Sequence, residues 1–379
     1  DNIVDSIVLE DGFKKNFKFH YLYILSYIRN YRFKDRRFER DDYIPMNIDF
    51  LRNLVNYRNA VSFVKVLLES GLIETDNEYK TGKKSRGYRL SKKCYNDKFY
   101  LVENKDKLLE DRIKNCYLKI KQGVLERQDA YSYVTYCMES IEIDKKTAFK
   151  YISDADLTEY KKDSYETATE LFDDKFAVVD STSSRLHNNL TNLYTPLRKF
   201  LTYKGEQLIQ CDIRNSQLVF MYLMLQKYNV PKEELDFFGK VVCEIGFYEF
   251  FAEKLGEELN EENRKEFKTF IFKDILFGTN KLKLNKIEII FKEIFPFIFY
   301  VMRKLKMDDH KQLAILLQQA ESEFIFKCID KIGKDIPLIT IHDSIGTTVG
   351  NEHIIKDVID EQFLNIFGIK PKIKLEKFA

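Results

Sequence analysis

The stretch Ile336 to Val349, IPLITIHDSIGTTV, constrains the fold more than any other part of the chain. Apolar Ile336, Leu338, Ile339 and Ile341 come before His342, and Ile345, Thr347, Thr348 and Val349 follow Ser344. Two β-branched runs flanking a short polar centre predict a buried hairpin with Asp343 at its turn. An unpaired carboxylate between two apolar strands is costly to bury, so Asp343 is either solvated at a tight turn or held by a cation. An ordinary hairpin with an Asp turn satisfies the same pattern.

A second carboxylate stands in a comparable place. Leu208 to Gln217, LIQCDIRNSQ, reads as a short apolar strand running into Asp212, with the helical stretch LVFMYLML after it. Two strand-end carboxylates are what a pair of Mg²⁺ ions about 4 Å apart needs for in-line phosphoryl transfer. Between them lies Arg264 to Gly278, RKEFKTFIFKDILFG. Arg264 and Lys268 are spaced i, i+4, which puts two cations on one helical face where they meet a triphosphate together.

The order carboxylate, basic helix, carboxylate resembles the superfamily of family A (polymerase I-like) DNA polymerases and bacteriophage-type single-subunit RNA polymerases. Asp212 matches the Asp of their first palm motif, Arg264 and Lys268 the basic pair of the fingers helix, and Phe277-Gly278 its aromatic-Gly end. His342-Asp343 matches the HD of the third motif, and HDSIGT is closer to the RNA-polymerase form, HDS, than to the HDE of the DNA enzymes. Ser184 to Leu193 resembles the Arg-bearing segment that holds primer and template, Tyr248 to Gly256 the start of the fingers, and Leu317 to Glu323 the Gln-bearing helix before the third motif. The resemblance runs from Ser184 to Thr348, under half of the chain.

It implies an α+β fold, a mostly helical right-hand polymerase palm and fingers, with the palm over 175–224 and 306–379 and the fingers over 225–305. It also implies roles. Asp212 and Asp343 would hold two Mg²⁺ (or Mn²⁺) ions with the carbonyl of Ile213; Arg264 and Lys268 would bind the triphosphate, and Lys268 would protonate the leaving pyrophosphate. Arg185, Gln318 and His342 would contact primer and template. The partners are then a DNA template, a primer and nucleoside triphosphates, with no membrane.

Sugar choice reads less simply. The family's DNA polymerases carry a Glu five residues after the first Asp, where this chain has Gln217. Its RNA polymerases place a Tyr hydroxyl near the ribose, where Phe277 has none to donate. That missing donor favours deoxyribose and hence DNA synthesis. The spacing is also irregular: Lys268 precedes Phe277 by nine residues, one more than in those relatives. One extra residue turns a helix by about 100°, so an irregular i to i+5 turn or an early helix end is expected between Phe270 and Leu276, with Arg264, Lys268 and Phe277 all facing the cleft that contains Asp212 and Asp343.

Upstream, residues 1–100 read as a winged helix-turn-helix. His20 to Ile28, Ile48 to Val55 and Asn59 to Ser70 have helical apolar spacing, Gly71 stops the third helix, and LIETDNEY with Gly87 to Leu90 makes a strand and its return. From Lys80 to Lys93 there are seven Lys or Arg and no acid, so Lys83, Lys84 and Arg86 form a wing for phosphate or, on the other reading, a solvated loop. Residues 101–174 read as helical and charged, a thumb-like segment by the resemblance or a packing layer by composition.

Composition sets outer bounds. A length of 379 residues suggests two or three domains, and 44% hydrophobic residues supply packed cores. The net charge of +2 requires any nucleic-acid surface to be local. Six scattered cysteines without CxxC spacing argue against zinc and for a reducing cytoplasm. No apolar run spans a membrane and the polar start is no signal peptide. No exonuclease carboxylate pattern precedes the palm. A compact polymerase without proofreading, serving replication or priming of a mobile element, is the expectation; an RNA polymerase or primase, or a DNA-binding initiator with an inactive polymerase-like half, are the alternatives.

Overall fold

A computed structural model describes residues 17–35, 38–39, 41–80, 84–94, 102–125, 129–260 and 262–378. The chain divides into two compact units: residues 1–123, 145–176 and 192–195 in the first, and 124–144, 177–191 and 196–379 in the second.

In the first unit, helix Lys18–Lys34 is followed by β1 (Ile44–Pro45), helices Ile48–Leu54 and Ala60–Glu69, β2 (Ile73–Thr75) and β3 (Gly87–Leu90). The strands form an antiparallel sheet in the order β1-β3-β2. Asn47 starts the second helix by accepting from the backbone of Asp49 and Phe50. Gly71, at φ +64°, ends the third as the spacing predicts. Tyr21, Ile24, Leu51, Leu54, Phe63 and Leu67 are all but fully buried and make this core.

The turn between β2 and β3 neutralises part of the basic run from within. Asp76 accepts from the backbone N–H of Gly87 and Glu78, Lys84 bridges Asp76 and Glu78, and Arg89 pairs with Glu74 at 2.8 Å. Arg86 is exposed, and Lys83 lies outside the described residues. The helices expected as one layer over 101–174 are shared out: Lys145–Asp154, Glu159–Glu170 and most of Lys107–Leu125 fall in the first unit, Asp129–Glu139 in the second.

The second unit is built on β4 (Ile141–Ile143), β5 (Ala177–Val179), β6 (Leu186–Asn188), β7 (Leu201–Tyr203), β8 (Glu206–Ile213), β9 (Ile339–Ile341), β10 (Ser344–Thr348) and β11 (Ile373–Lys377). β5 and β6 form a hairpin. The others form one antiparallel sheet along β4-β7-β8-β10-β9, with β11 also on β8. Helix Ser216–Leu225 is apolar on every side and correspondingly buried. It packs against Gln312–Ile332, while Glu352–Phe367 covers β8 and β10.

The helices from Lys232 to Leu305 share an aromatic core in which Phe247, Phe251, Phe291 and Phe295 are buried with ring centroids 4.6–6.4 Å apart. Among them, Arg264–Ile271 is α-helical and passes directly into a π-helical segment, Phe272–Phe277. The extra residue is therefore absorbed where the spacing places it. Among the described residues, no helix is long and apolar enough to cross a membrane.

Candidate active site

Asp212 lies near the end of β8, and strand register decides what faces it. Asp212 pairs with Ser344 of β10 on one side and Lys374 of β11 on the other. Asp343, one residue before Ser344, occupies the two-residue loop between β9 and β10 with His342. His342 adopts the left-handed conformation at φ +55°. Such short hairpin loops demand positive φ, at a cost of roughly 1–2 kcal/mol for a residue with a Cβ. The His342 ring meets His187 of β6 edge-on, centroids 5.9 Å apart.

Both carboxylates open into one cleft of about 250 Å³. Asn215, also left-handed at φ +55°, turns the chain from β8 into helix Ser216–Leu225 and brings Ser216 and Gln217 to the lining. Lys268 of helix Arg264–Ile271 and Phe272 of the π-helical segment after it line the cleft one turn apart, with the Lys268 ammonium 5.3 Å from the Phe272 ring centroid. Arg185, Ile213, Glu321 and His342 complete the lining.

The electrostatics are those of surplus negative charge. Burial, and after it the charges of Asp343 and Glu376, push the Asp212 carboxyl up to about 7 against the pull of Lys374 and Lys268. Among the described residues no third His, Cys, Asp or Glu completes a metal-holding cluster. Two like charges forced together and an oxygen-only donor set nonetheless suit a hard divalent cation.

Glu321 is the residue that sequence reasoning passed over. It is 0% exposed, and its carboxylate accepts from Arg185 Nε at 2.8 Å and Gln217 Nε2 at 2.8 Å, with Arg185 Nη2 at 2.5 Å. Burial raises its carboxyl to about 7, opposed by Arg185. A signal was present, because Leu313, Leu317, Phe324 and Cys328 form the buried stripe of Gln312–Ile332 and Glu321 interrupts it. A charge on an apolar stripe needs a partner.

The structure thus brings Asp212, Asp343, Ile213, Lys268, Gln217, Arg185 and His342 to one cleft, whereas Arg264, Gln318 and Phe277 lie outside its lining. Arg185 lines the cleft, but its guanidinium is engaged by Glu321. Arg264 is outside the lining, paired with Glu249 and over the Tyr248 ring, because its side chain turns to helix Phe247–Leu255. Gln318 is also outside. Phe277 packs on Phe272 at 5.6 Å, on the far side of the π-turn, so Phe272 is the aromatic in the cleft.

No family model matches the chain and no curated protein matches it. Among solved structures it is similar to the POL domain of Pol1 from M. smegmatis in complex with DNA primer-template and dNTP, at 11% sequence identity and a TM-score of 0.47, over 72% of this chain and 73% of that chain.

Proposed function

We propose that the second unit is a template-directed nucleotidyltransferase of the polymerase I-like kind, without a proofreading exonuclease, acting in replication or priming of a mobile element. The observation that carries this reading is the β8–β10 register, which sets Asp212 beside Asp343 in a cleft that Lys268 enters. A strand 3′-hydroxyl attacks the α-phosphorus of the incoming triphosphate; the new O–P bond forms as the α–β bridge breaks and pyrophosphate leaves. Lys268 meets the triphosphate and supplies a proton to the departing pyrophosphate. Phe272 offers a flat apolar surface beside it. Asp212 and Asp343 would hold Mg²⁺, which when bound would lower the pKa of the attacking hydroxyl and offset the charge of the leaving group.

The deoxyribose preference expected from Phe277 loses its basis, because Phe277 does not line the cleft. The order helix, strand, helix, helix, strand, strand of the first unit supports a winged helix-turn-helix that contacts duplex phosphates. The test is incubation of the full chain with Mg²⁺, primed or unprimed DNA template and either dNTPs or rNTPs. Asp343→Asn, nearly isosteric but unable to balance the cation's charge, should abolish nucleotide addition while DNA binding persists. Wild-type turnover in that variant would remove the two-carboxylate mechanism.

A further inference from the structure

The last strand, β11, puts two charges on the face of the sheet that carries Asp212. Lys374 pairs directly with Asp212 across β11 and β8, as Ser344 does from β10, and Glu376 pairs with Gln210 one step along. Residues opposite each other in an antiparallel pair have Cβ atoms about 4.5–5.5 Å apart, and every second residue shares a face, so Lys374, Glu376, Gln210, Asp212 and Ser344 lie on one side of the sheet. Glu376 is fixed from two directions: Gln210 Nε2 donates to it at 3.3 Å, and the Lys374 ammonium forms an ion pair with it.

These charges bear on any cation that the carboxylate pair takes up. An ammonium has donors and no acceptor, so it cannot ligate a metal and can only compete with one for a carboxylate or repel it. Lys374 is half-exposed, and its flexible four-carbon stem is rooted opposite Asp212, within reach of Asp212 as well as Glu376. In the structure Glu376 has it. After burial and the charge of Asp343, Glu376 adds to the repulsion felt at Asp212 and Lys374 opposes it, so removing either one unbalances the field at the cleft.

We propose that Lys374 and Glu376 are a pair of positioning residues that set how tightly the cleft holds a divalent cation: Lys374 weakens the hold of Asp212 and Asp343 by its charge, and Glu376 keeps the ammonium on β11 so that it does not occupy the carboxylate pair itself. This rests on the reading of Asp212 and Asp343 as a cation site. Neither residue touches the cation; Lys374 acts through space and Glu376 acts through Lys374. What the pair gives the cleft is a reversible hold, tunable from a strand that contributes nothing to its lining.

The experiment measures Mn²⁺ binding to the full chain, without nucleotide, from the loss of the free-ion signal in electron paramagnetic resonance. Lys374→Met, which keeps the stem and removes the charge, should bind about three- to tenfold more tightly than the wild type, and the gap should narrow in high salt. Lys374→Arg, which keeps the charge, should bind as the wild type does. Glu376→Gln should bind about three- to tenfold more weakly, because it frees the ammonium to turn to Asp212. The double variant, Lys374→Met with Glu376→Gln, has no competitor to release and should return to within about twofold of the wild type. Lys377→Met, a lost cation on the other face of the same strand, should change nothing. Equal affinity of Lys374→Met and the wild type, the same gain from Lys377→Met, or a double variant as weak as Glu376→Gln would overturn the role of the pair while leaving the two-carboxylate site standing. A wild type that binds no Mn²⁺, or an Asp343→Asn variant that binds it equally well, would overturn both.

Discussion

Two acidic side chains that repel each other until a cation arrives leave a thermodynamic trace that can be read without any assay of turnover. The Asp212 carboxyl titrates at about 7 in the folded chain, above its unfolded value of about 3.9. Between those limits the folded state binds the extra proton, so this group's contribution to stability falls as pH rises from about 4 to about 7 and the cost is complete by pH 8. Asp343→Asn removes one source of the repulsion. In chelator at pH 8 it should be more stable than the wild type by about 1 kcal/mol after solvent screening, with the difference gone near pH 4. Added Mg²⁺ should raise the melting temperature of the wild type and leave that of the variant nearly unchanged; equal shifts would mean the cation binds elsewhere. The two carboxylates were legible in the sequence because each ends or interrupts a largely apolar, strand-like run. Glu321 was harder to read because its partners Arg185 and Gln217 are 136 and 104 residues away, and one sequence does not reveal which distant polar groups meet.

At the scale of an element, the π-helical segment Phe272–Phe277 shows what spacing can and cannot tell. Nine residues from Lys268 to Phe277 announced an irregular turn, and the turn is there. Which aromatic would face the cleft was not legible, because the extra residue rotates everything after it, whereas Phe272 stands before most of the rotation and stays on the Lys268 face. Two side features hold the segment. Gly278 leaves no room for a side chain, since a Cβ there would lie 2.2 Å from the carbonyl oxygen of Lys273. Gly278→Ala should therefore destabilise the chain by about 1–3 kcal/mol in denaturant unfolding, and an unchanged midpoint would mean the turn relaxes freely. Lys306, 6% exposed, donates to the carbonyl of Ile275 at 2.8 Å inside the same segment. Burial lowers its ammonium to about 8. In the unfolded chain the group keeps its proton up to about 10.4, so the unfolded state binds more protons between these values and stability rises with pH across them. The wild type should gain about 2 kcal/mol on Lys306→Met between pH 8 and 9.5, and parallel pH profiles would remove the buried-ammonium account.

At the scale of the whole molecule, the basic run of the first unit can be separated into residues that are already neutralised and residues that are not. Lys84 is held between Asp76 and Glu78, whereas Arg86 is exposed. If the first unit binds duplex through phosphates, Arg86→Ala should lower the slope of log K against log salt by about 0.9, and Lys84→Ala should lower it by much less. Equal loss from both changes would mean that the Lys84 bridge opens on binding, and no loss from either would return the turn to an ordinary solvated loop. The same scale carries a consequence of β8 lying between β10 and β11. Gln210 of β8 contacts Ser344, 134 residues on, and Glu376, 166 residues on. The two strands that flank Asp212 are thus made well after it, and during synthesis the Asp212 end of β8 waits without them while the intervening helices fold. Loop closure over such separations is slow, and unpaired edges invite pairing with other chains. Refolding should accordingly show fast recovery of helical signal and slow, concentration-sensitive assembly of the carboxylate pair.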